Sequence, residues 1–326
     1  MSRYVLDNSE SSHIAEIADK FLRNHQPWRP LAAIDDLRTE AEELPVGVRK
    51  FLVDARTRED AVITLANLPV SPDLAPTPAS WRDAERDEAG RLEEITLLLC
   101  ASVLGDPFSW ANQQDGRLVH DVCPSKGMED SLTSASSETQ LTLHTEDVFH
   151  ACRGDYVALM CLRNPDSVGT TVARVLPGML PEGVMDVLRQ SRFRFYPDDS
   201  HMSVPADGAA PAVALTDRPY EQGPVLFGPA DDHYLRIDPD FTVAVPGDTE
   251  AEEALRLCSQ ALAAATERLV LEPGEAAFLD NYRVIHGREV FTPRYDGKDR
   301  WLKRTSMVRD LRRSYVHERS RSRVLA

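Results

Sequence analysis

His144, Glu146, His286 and Arg300 are the side chains of this 326-residue chain whose types and spacing could do chemistry. Two imidazoles and one carboxylate on one face of a metal ion leave coordination positions open for other ligands, which is the facial set of non-haem Fe(II) oxygenases. The His144-Thr145-Glu146 spacing suits an extended segment, because alternate side chains of a strand point the same way. On a helix the same two positions would diverge by about 200°. The distal histidine, in Asn281-Tyr-Arg-Val-Ile-His286-Gly-Arg288, must then arrive from a later strand. Arg300 carries a planar fork of donors that matches the far carboxylate of a metal-chelated 2-oxoacid. An H-x-E tripeptide alone is a weak signal, and a lone histidine is usually an ordinary one. The order of the residues, the long interval and the downstream arginine together favour a metal. A zinc hydrolase could use the same three ligands, but it needs a general base and has no use for Arg300. A catalytically dead binding or carrier-interaction protein has no need for all four groups.

The elements that would position these residues read as many short strands with a few helices. Apolar positions Ile14, Ile17, Ala18 and Phe21 predict an amphipathic helix over 12–24, and Leu92, Ile95 and Leu99 another over 87–104, stopped by Gly105 and Pro107. A third, over 250–267, follows Thr249-x-x-Glu252, a capping-box pattern. Strands fit 61–65, 156–162, 192–196, 233–237 and 276–280, the last behind a Pro273-Gly274 turn. No βαβ rhythm is present, so the pattern predicts an α+β fold: a sheet-on-sheet barrel with helices outside. One domain over 1–326 is expected, with a helical N-terminal part over 1–70. Residues 198–223, rich in Ser, Pro, Ala and Asp, read as a lid or as a surface insertion. The basic tail over 312–323 reads as a solvated segment.

Composition narrows the partners. A net charge of −16, from 37 basic and 53 acidic residues, disfavours nucleic acid and anionic membranes and is compatible with a small cationic substrate. No apolar run reaches the roughly eighteen residues of a membrane span. The N-terminus lacks the apolar core of a signal peptide. Five cysteines without a C-x-x-C pair indicate neither a disulfide framework nor a zinc knuckle, and a reducing cytoplasm is expected. Phosphate-cradle, nucleophile-elbow and zincin motifs are absent from the sequence.

Longer blocks carry a closer likeness. Trp110-Ala-Asn-Gln-Gln-Asp-Gly-Arg117, Leu143-His-Thr-Glu-Asp147, Leu162-Arg-Asn-Pro-Asp166, Pro197-Asp-Asp-Ser-His201 and Arg294-Tyr-Asp-Gly-Lys-Asp-Arg-Trp-Leu-Lys-Arg304 resemble the clavaminate synthase-like Fe(II)/2-oxoglutarate oxygenases. Within that branch the chain is most similar to the L-arginine oxygenases, hydroxylases and desaturases, of peptide-antibiotic pathways. The resemblance runs from about Trp81 to Leu311 and resumes in the Ser322-Arg-Val-Leu325 tail; the first seventy or so residues match poorly. It implies a distorted double-stranded β-helix, or jelly roll, flanked by helices, with 198–223 as a lid. It also implies Fe(II), 2-oxoglutarate and O2 as cofactors, and a free amino acid as substrate.

By the same resemblance, His144, Glu146 and His286 hold iron. Arg300 pairs with the distal carboxylate of 2-oxoglutarate, and Thr171 adds a hydroxyl. Arg304 matches the residue that holds the substrate α-carboxylate, while Gln113 and Glu146 match positions near the α-amine. Asp238 and Asp240, in Arg236-Ile-Asp-Pro-Asp-Phe241, match a pair that grips guanidinium, and Asp198 matches a third carboxylate from the lid. Leu132 and Ser134 match positions along the substrate's carbon chain. The physics agrees, since a buried guanidinium without carboxylate partners is costly. Here Pro239 stands where the family has glycine, which fixes φ and removes a donor. The implied reaction is hydroxylation of free L-arginine, at C3 in the nearest likeness, with release of succinate and CO2. C4–C5 desaturation, C4 hydroxylation, and enduracididine, lysine or citrulline as substrate stay open. Of these, citrulline would leave the aspartates without a charge partner.

Overall fold

Strand alternation decides how this molecule is layered. The computed structural model describes residues 1–127, 141–198, 201–202 and 213–326. In the strand Ala276–Asp280, Ala277 and Leu279 face one way, into a cluster with Leu159, Cys161, Val172 and Leu302. Ala276 and Phe278 face the other way, against Ile14, Phe21, Leu37, Leu52 and Leu98 from the helices. A sheet buried on both faces reads as a near-continuous apolar run. Every residue of Ala276–Asp280 is indeed buried.

The large sheet runs Ser2–Val5, Val62–Ala66, Ala276–Asp280, Tyr156–Arg163, Trp301–Val308, Asp106–Trp110 and Val324–Leu325, with His120–Val122 also pairing Trp301–Val308. Facing its inner side is a four-stranded sheet ordered Glu267–Leu269, Thr170–Ala173, Ile285–Arg288 and Leu141–His144. Val172 and Leu269 of that sheet meet Leu159 and Leu302 of the large one, so the core between the layers is shared. The architecture is α+β, with mixed sheets and helices packed outside.

The helices depart from expectation for local reasons. The first begins at Asn8, earlier than predicted, because Asp7 caps it and Glu10 completes a capping box. The helix expected over 87–104 is two, Trp81–Arg86 and Arg91–Leu104, because the chain turns through Gly90 at φ +70°, a conformation glycine adopts without strain. The helix Thr249–Ala264 is capped by Asp248, one residue before the predicted pattern, through a bond from the Ala251 N–H. Pro30–Glu40 and Val46–Arg58 are helices of the N-terminal part that the apolar spacing did not single out.

Two expectations are corrected. The C-terminal tail is only partly a solvated segment: Arg312, Val316, His317 and 319–321 are exposed, but Arg313 bonds to Tyr282, Asp155 and the Arg153 carbonyl, and just beyond it Val324–Leu325 pairs with Ser109 and Trp110. The strand expected over 233–237 is only Tyr234–Leu235, because Arg236 and Ile237 take partners elsewhere, at Val225 and Thr145. Within 198–223, the described part includes Glu221–Gly223, a strand paired with Phe193–Phe195. No helix among the described residues is long and apolar enough to cross a membrane. All five cysteines are buried and unpaired.

Candidate active site

Register brings the two histidines together. His144, the last residue of Leu141–His144, lies directly opposite His286 on Ile285–Arg288. Their ring centroids are 4.5 Å apart. Glu146 Oε2 lies 3.5 Å from His144 Nε2 and 3.3 Å from His286 Nε2. Prospective ligand atoms of all three residues fall within 4.8 Å of one another. His144 Nδ1 is 2.8 Å from the Thr142 carbonyl, an acceptor, so Nδ1 carries a proton and Nε2, turned to Glu146, is the nitrogen that would give its lone pair to a metal. Between the histidine and Arg288, Gly287 allows the neighbouring strand to close in, since a Cβ there would overlap the Leu141 carbonyl oxygen.

Glu146 itself is past the end of the strand. The chain turns there, with Asp147 at φ +52°. Asn281 holds this turn: its Oδ1 accepts the Glu146 N–H at 2.9 Å, and its Nδ2 donates to the carbonyls of Glu146 and Gly154, both at 3.0 Å. The far carboxylate oxygen, Oε1, accepts from Arg304 Nη1 at 2.7 Å. Burial opposes ionisation of Glu146, but Arg304 and the two imidazoles outweigh it and hold the carboxyl well below its usual range.

Arg300 is a buried cation in want of an anion. It is 5% exposed, and burial lowers its pKa to about 10. Its side chain donates to Thr170 Oγ1 at 3.3 Å, while its Nε finds no partner among the described residues. Among the described residues it makes no ion pair. Such a group is costly to bury unless a carboxylate joins it, and the distal carboxylate of 2-oxoglutarate fits the requirement.

Thr171, expected beside Arg300, is on the wrong face. It pairs with Gly287 and Arg268, whereas Thr170 pairs with Arg288 and Leu269. Leu269 belongs to the inner core, and Arg268 runs outward to Glu289. Alternation therefore points Thr170 inward with His286's neighbours and Thr171 away. The hydroxyl on the inner face, beside Arg300, is that of Thr170.

The residues matched to substrate binding fall into two groups. Arg304, expected at the α-carboxylate, is engaged with Glu146, with Gln113 Oε1 at 3.1 Å and with His120 Nδ1 at 2.9 Å. His120 is buried, and burial together with Arg304 and Arg117 depresses its pKa, so it accepts from Arg304 as a neutral ring. Asp238 and Asp240 form the second group. Asp238 is buried and makes no ion pair among the described residues; burial raises its pKa to about 6, the charges of Asp240 and Asp198 add to the rise, and His144 opposes it. Asp240 is exposed and accepts from Thr142 Oγ1 at 2.7 Å. Asp198 Oδ1 accepts the His201 N–H at 3.2 Å. Leu132 and Ser134 lie outside the described residues.

Asn281, His120, Thr170, Thr142 and the Asp147–His201 pair are site residues that sequence reasoning did not assign. His201 Nε2 lies 2.9 Å from Asp147 Oδ1 and 3.0 Å from Gln113 Nε2, between Trp110 and Phe149. Both His201 and Asp147 stand in blocks that carry the family likeness, which was the available signal. A second group, His150, His317 and Glu318, has metal-ligand spacing. However, His150 Nδ1 accepts the Cys152 N–H at 3.0 Å, which leaves its proton on Nε2, the nitrogen that faces Glu318. That arrangement gives a metal no free lone pair from His150.

Comparison with known proteins agrees with this geometry. Residues 92–306 match the family described as taurine catabolism dioxygenase TauD, TfdA family. The chain is 40% identical over 324 residues to enduracididine beta-hydroxylase of Streptomyces hygroscopicus, covering 95% of each chain. It is 40% identical over 289 residues to L-ornithine/L-arginine 3-hydroxylase of Catenulispora acidiphila, covering 84% of each. The crystal structure of the non-haem iron oxygenase OrfP with Fe and alpha-ketoglutaric acid superposes with a TM-score of 0.89 at 36% identity, covering 99% of this chain and 100% of that one. OrfP with Fe and L-Arg superposes with a TM-score of 0.86 at 34% identity, covering 99% of both. The chain belongs to the TauD/TfdA family of Fe(II)/2-oxoglutarate-dependent oxygenases.

Proposed function

We propose that this enzyme hydroxylates the side chain of free L-arginine, at C3, as one catalytic unit built on a distorted jelly roll. The observation that carries the substrate is Asp238, a buried carboxylate that makes no ion pair among the described residues, on a segment that also presents Asp240. A guanidinium offers paired N–H donors and a permanent charge, so it relieves the cost of burying that carboxylate. Bound Fe(II) and 2-oxoglutarate would supply the oxidising chemistry, with O2 consumed and succinate and CO2 released.

The chain's own residues do the placing. His144, Glu146 and His286 would hold iron from one side. Arg300 and Thr170 would hold the far end of 2-oxoglutarate. Arg304, with Gln113, would receive the α-carboxylate and amine end of the amino acid, and Asp238, Asp240 and Asp198 its guanidinium. With both ends gripped, one stretch of the carbon chain is presented to the metal.

A second substrate has a specific point in its favour. Enduracididine carries a cyclic guanidine that the same carboxylates could grip, and the relative bearing that name matches over more of the chain than the arginine enzyme does. The test is mass analysis of reactions with iron, 2-oxoglutarate and each amino acid. A gain of oxygen on arginine, located at C3 by NMR, is the expected result. Loss of two hydrogens would make the enzyme a desaturase, and turnover of lysine without arginine would overturn the substrate.

A further inference from the structure

The metal tripeptide and the carboxylate segment are stitched together at two points. The Thr145 N–H donates to the Ile237 carbonyl at 2.8 Å, and the Ile237 N–H donates back to Thr145 Oγ1 at 3.1 Å. The middle residue of His144-Thr145-Glu146 is thereby tied, main chain and side chain, to the residue preceding Asp238. Thr145 is 1% exposed, so neither bond is shared with solvent on its side. At the second point, the Thr142 carbonyl accepts from His144 Nδ1 at 2.8 Å, while its Oγ1 donates to Asp240 Oδ2 at 2.7 Å. One residue thus braces a metal-ligating ring and one of the guanidinium carboxylates.

The carboxylate segment is also braced within itself. The Asp238 N–H donates to Thr242 Oγ1 at 2.9 Å, and Asp238 Oδ1 accepts the Asp240 N–H at 2.9 Å. Pro239 fixes φ between the two aspartates. A stiff segment attached at two points moves as a unit with the ligands it is attached to.

We infer that Thr142 and Thr145 are positioning residues that set the reach between the metal and the guanidinium clamp, and so select which side-chain carbon is oxidised. The inference rests on the guanidinium reading of Asp238 and Asp240. Adjacent carbons of an alkyl chain are about 1.5 Å apart. A displacement of about 1 Å at a reacting centre can cost a hundredfold in rate, so a small change in reach exchanges one carbon for its neighbour. Neither threonine touches the substrate in this account; each acts through the groups it holds.

The experiment compares wild type, Thr142→Val and Thr142→Ser with Fe(II), 2-oxoglutarate and arginine. It reads product position by NMR, succinate formed per product, KM for arginine and iron content. Valine keeps the carbonyl that orients His144 and removes only the bond to Asp240, so iron content should match wild type. The expected result for Thr142→Val is a KM raised roughly three- to tenfold, with product appearing at a second carbon or succinate exceeding product. Thr142→Ser should restore the wild-type pattern. A Thr142→Val enzyme with unchanged product position, coupling and KM would overturn the inference. So would iron loss in parallel with activity, which would mark a purely structural role. Failure of wild type to oxidise arginine or enduracididine would overturn the guanidinium reading instead, a result visible before any variant is compared.

Discussion

Arg304 Nη1 lies 2.7 Å from Glu146 Oε1, so the carboxylate oxygen turned away from the two imidazoles is already occupied. Only Oε2 faces the histidines. Arg304 is therefore tied to the His144–Glu146–His286 group, and in the proposed function it also receives the amino-acid end of the substrate. Arg304→Lys, which keeps the charge but loses the fork, should weaken iron binding roughly tenfold and raise KM for arginine. Metal titration with the purified variant checks this. Wild-type iron affinity would reduce Arg304 to a substrate anchor.

Arg300 yields a prediction with two opposite signs. Its buried charge, which makes no ion pair among the described residues, should make Arg300→Met no less stable than wild type in the metal-free protein. At a hundredfold excess over Kd, 2-oxoglutarate should stabilise the iron-loaded wild type by about 2.7 kcal/mol and leave the variant unmoved. Thermal unfolding with and without the cosubstrate reads both effects.

The two adjacent threonines separate cleanly. Thr170→Val should raise KM for 2-oxoglutarate roughly fivefold, as expected for a lost hydrogen bond to a charged ligand. Thr171→Val, on the opposite sheet face, should stay within about twofold. The reverse ranking would reinstate Thr171 at the cosubstrate.

Asp238 predicts an acid limb. Its pKa is raised from 3.8 to about 6 by burial, so below that pH the carboxyl is neutral and cannot pair with a guanidinium. The kcat/KM for arginine should fall about tenfold per pH unit below it, and Asp238→Asn should flatten the limb while lowering the plateau. The same shift has a stability sign: a raised carboxyl pKa favours the folded state below 3.8, and that contribution is lost as pH rises through about 6. Arginine should recover it, giving a ligand-induced rise in Tm that is larger at pH 7 than at pH 5. Equal rises at both would contradict the pairing.

Asn281 satisfies three backbone groups around the Glu146 turn. Asn281→Ala should cost about 2–3 kcal/mol of stability and lower iron affinity. Denaturant unfolding and iron titration measure the two losses. Asn281→Asp should recover only the bond that the Glu146 N–H donates.

The convergence of His144, Glu146 and His286 was legible because it rests on local geometry. An H-x-E tripeptide in extended chain has few ways to point, and a distal histidine with a following arginine fits one known use. The strands Tyr156–Arg163 and Ala276–Asp280 were legible for the same kind of reason, as apolar runs bounded by turn residues. Thr170 was not, because which of two neighbouring threonines faces inward depends on register with Ile285–Arg288, a tertiary property. The break between Arg86 and Arg91 was hidden by apolar spacing that continues across it. The Arg304–Glu146 pairing was hidden because sequence gives the charges but not which acceptors a fork will find. The docked C-terminus was hidden because its basic residues suggested solvent, while their partners are scattered from Asp35 to Tyr282.

One strand, Trp301–Val308, aims Arg304 between the sheets and Lys303 the opposite way, onto Asp121 at 2.7 Å. Rotating or sliding this strand to suit a new amino acid would drag a fully buried lysine off its carboxylate. In the proposed function the amino-acid end of the substrate is thus locked to the foundations of the molecule, whereas its side-chain end would be read by the short turn at Asp238–Asp240, which hangs on Thr142, Thr145 and Thr242. Diversification of such enzymes should proceed by recutting that turn, with the arginine-bearing strand inherited intact.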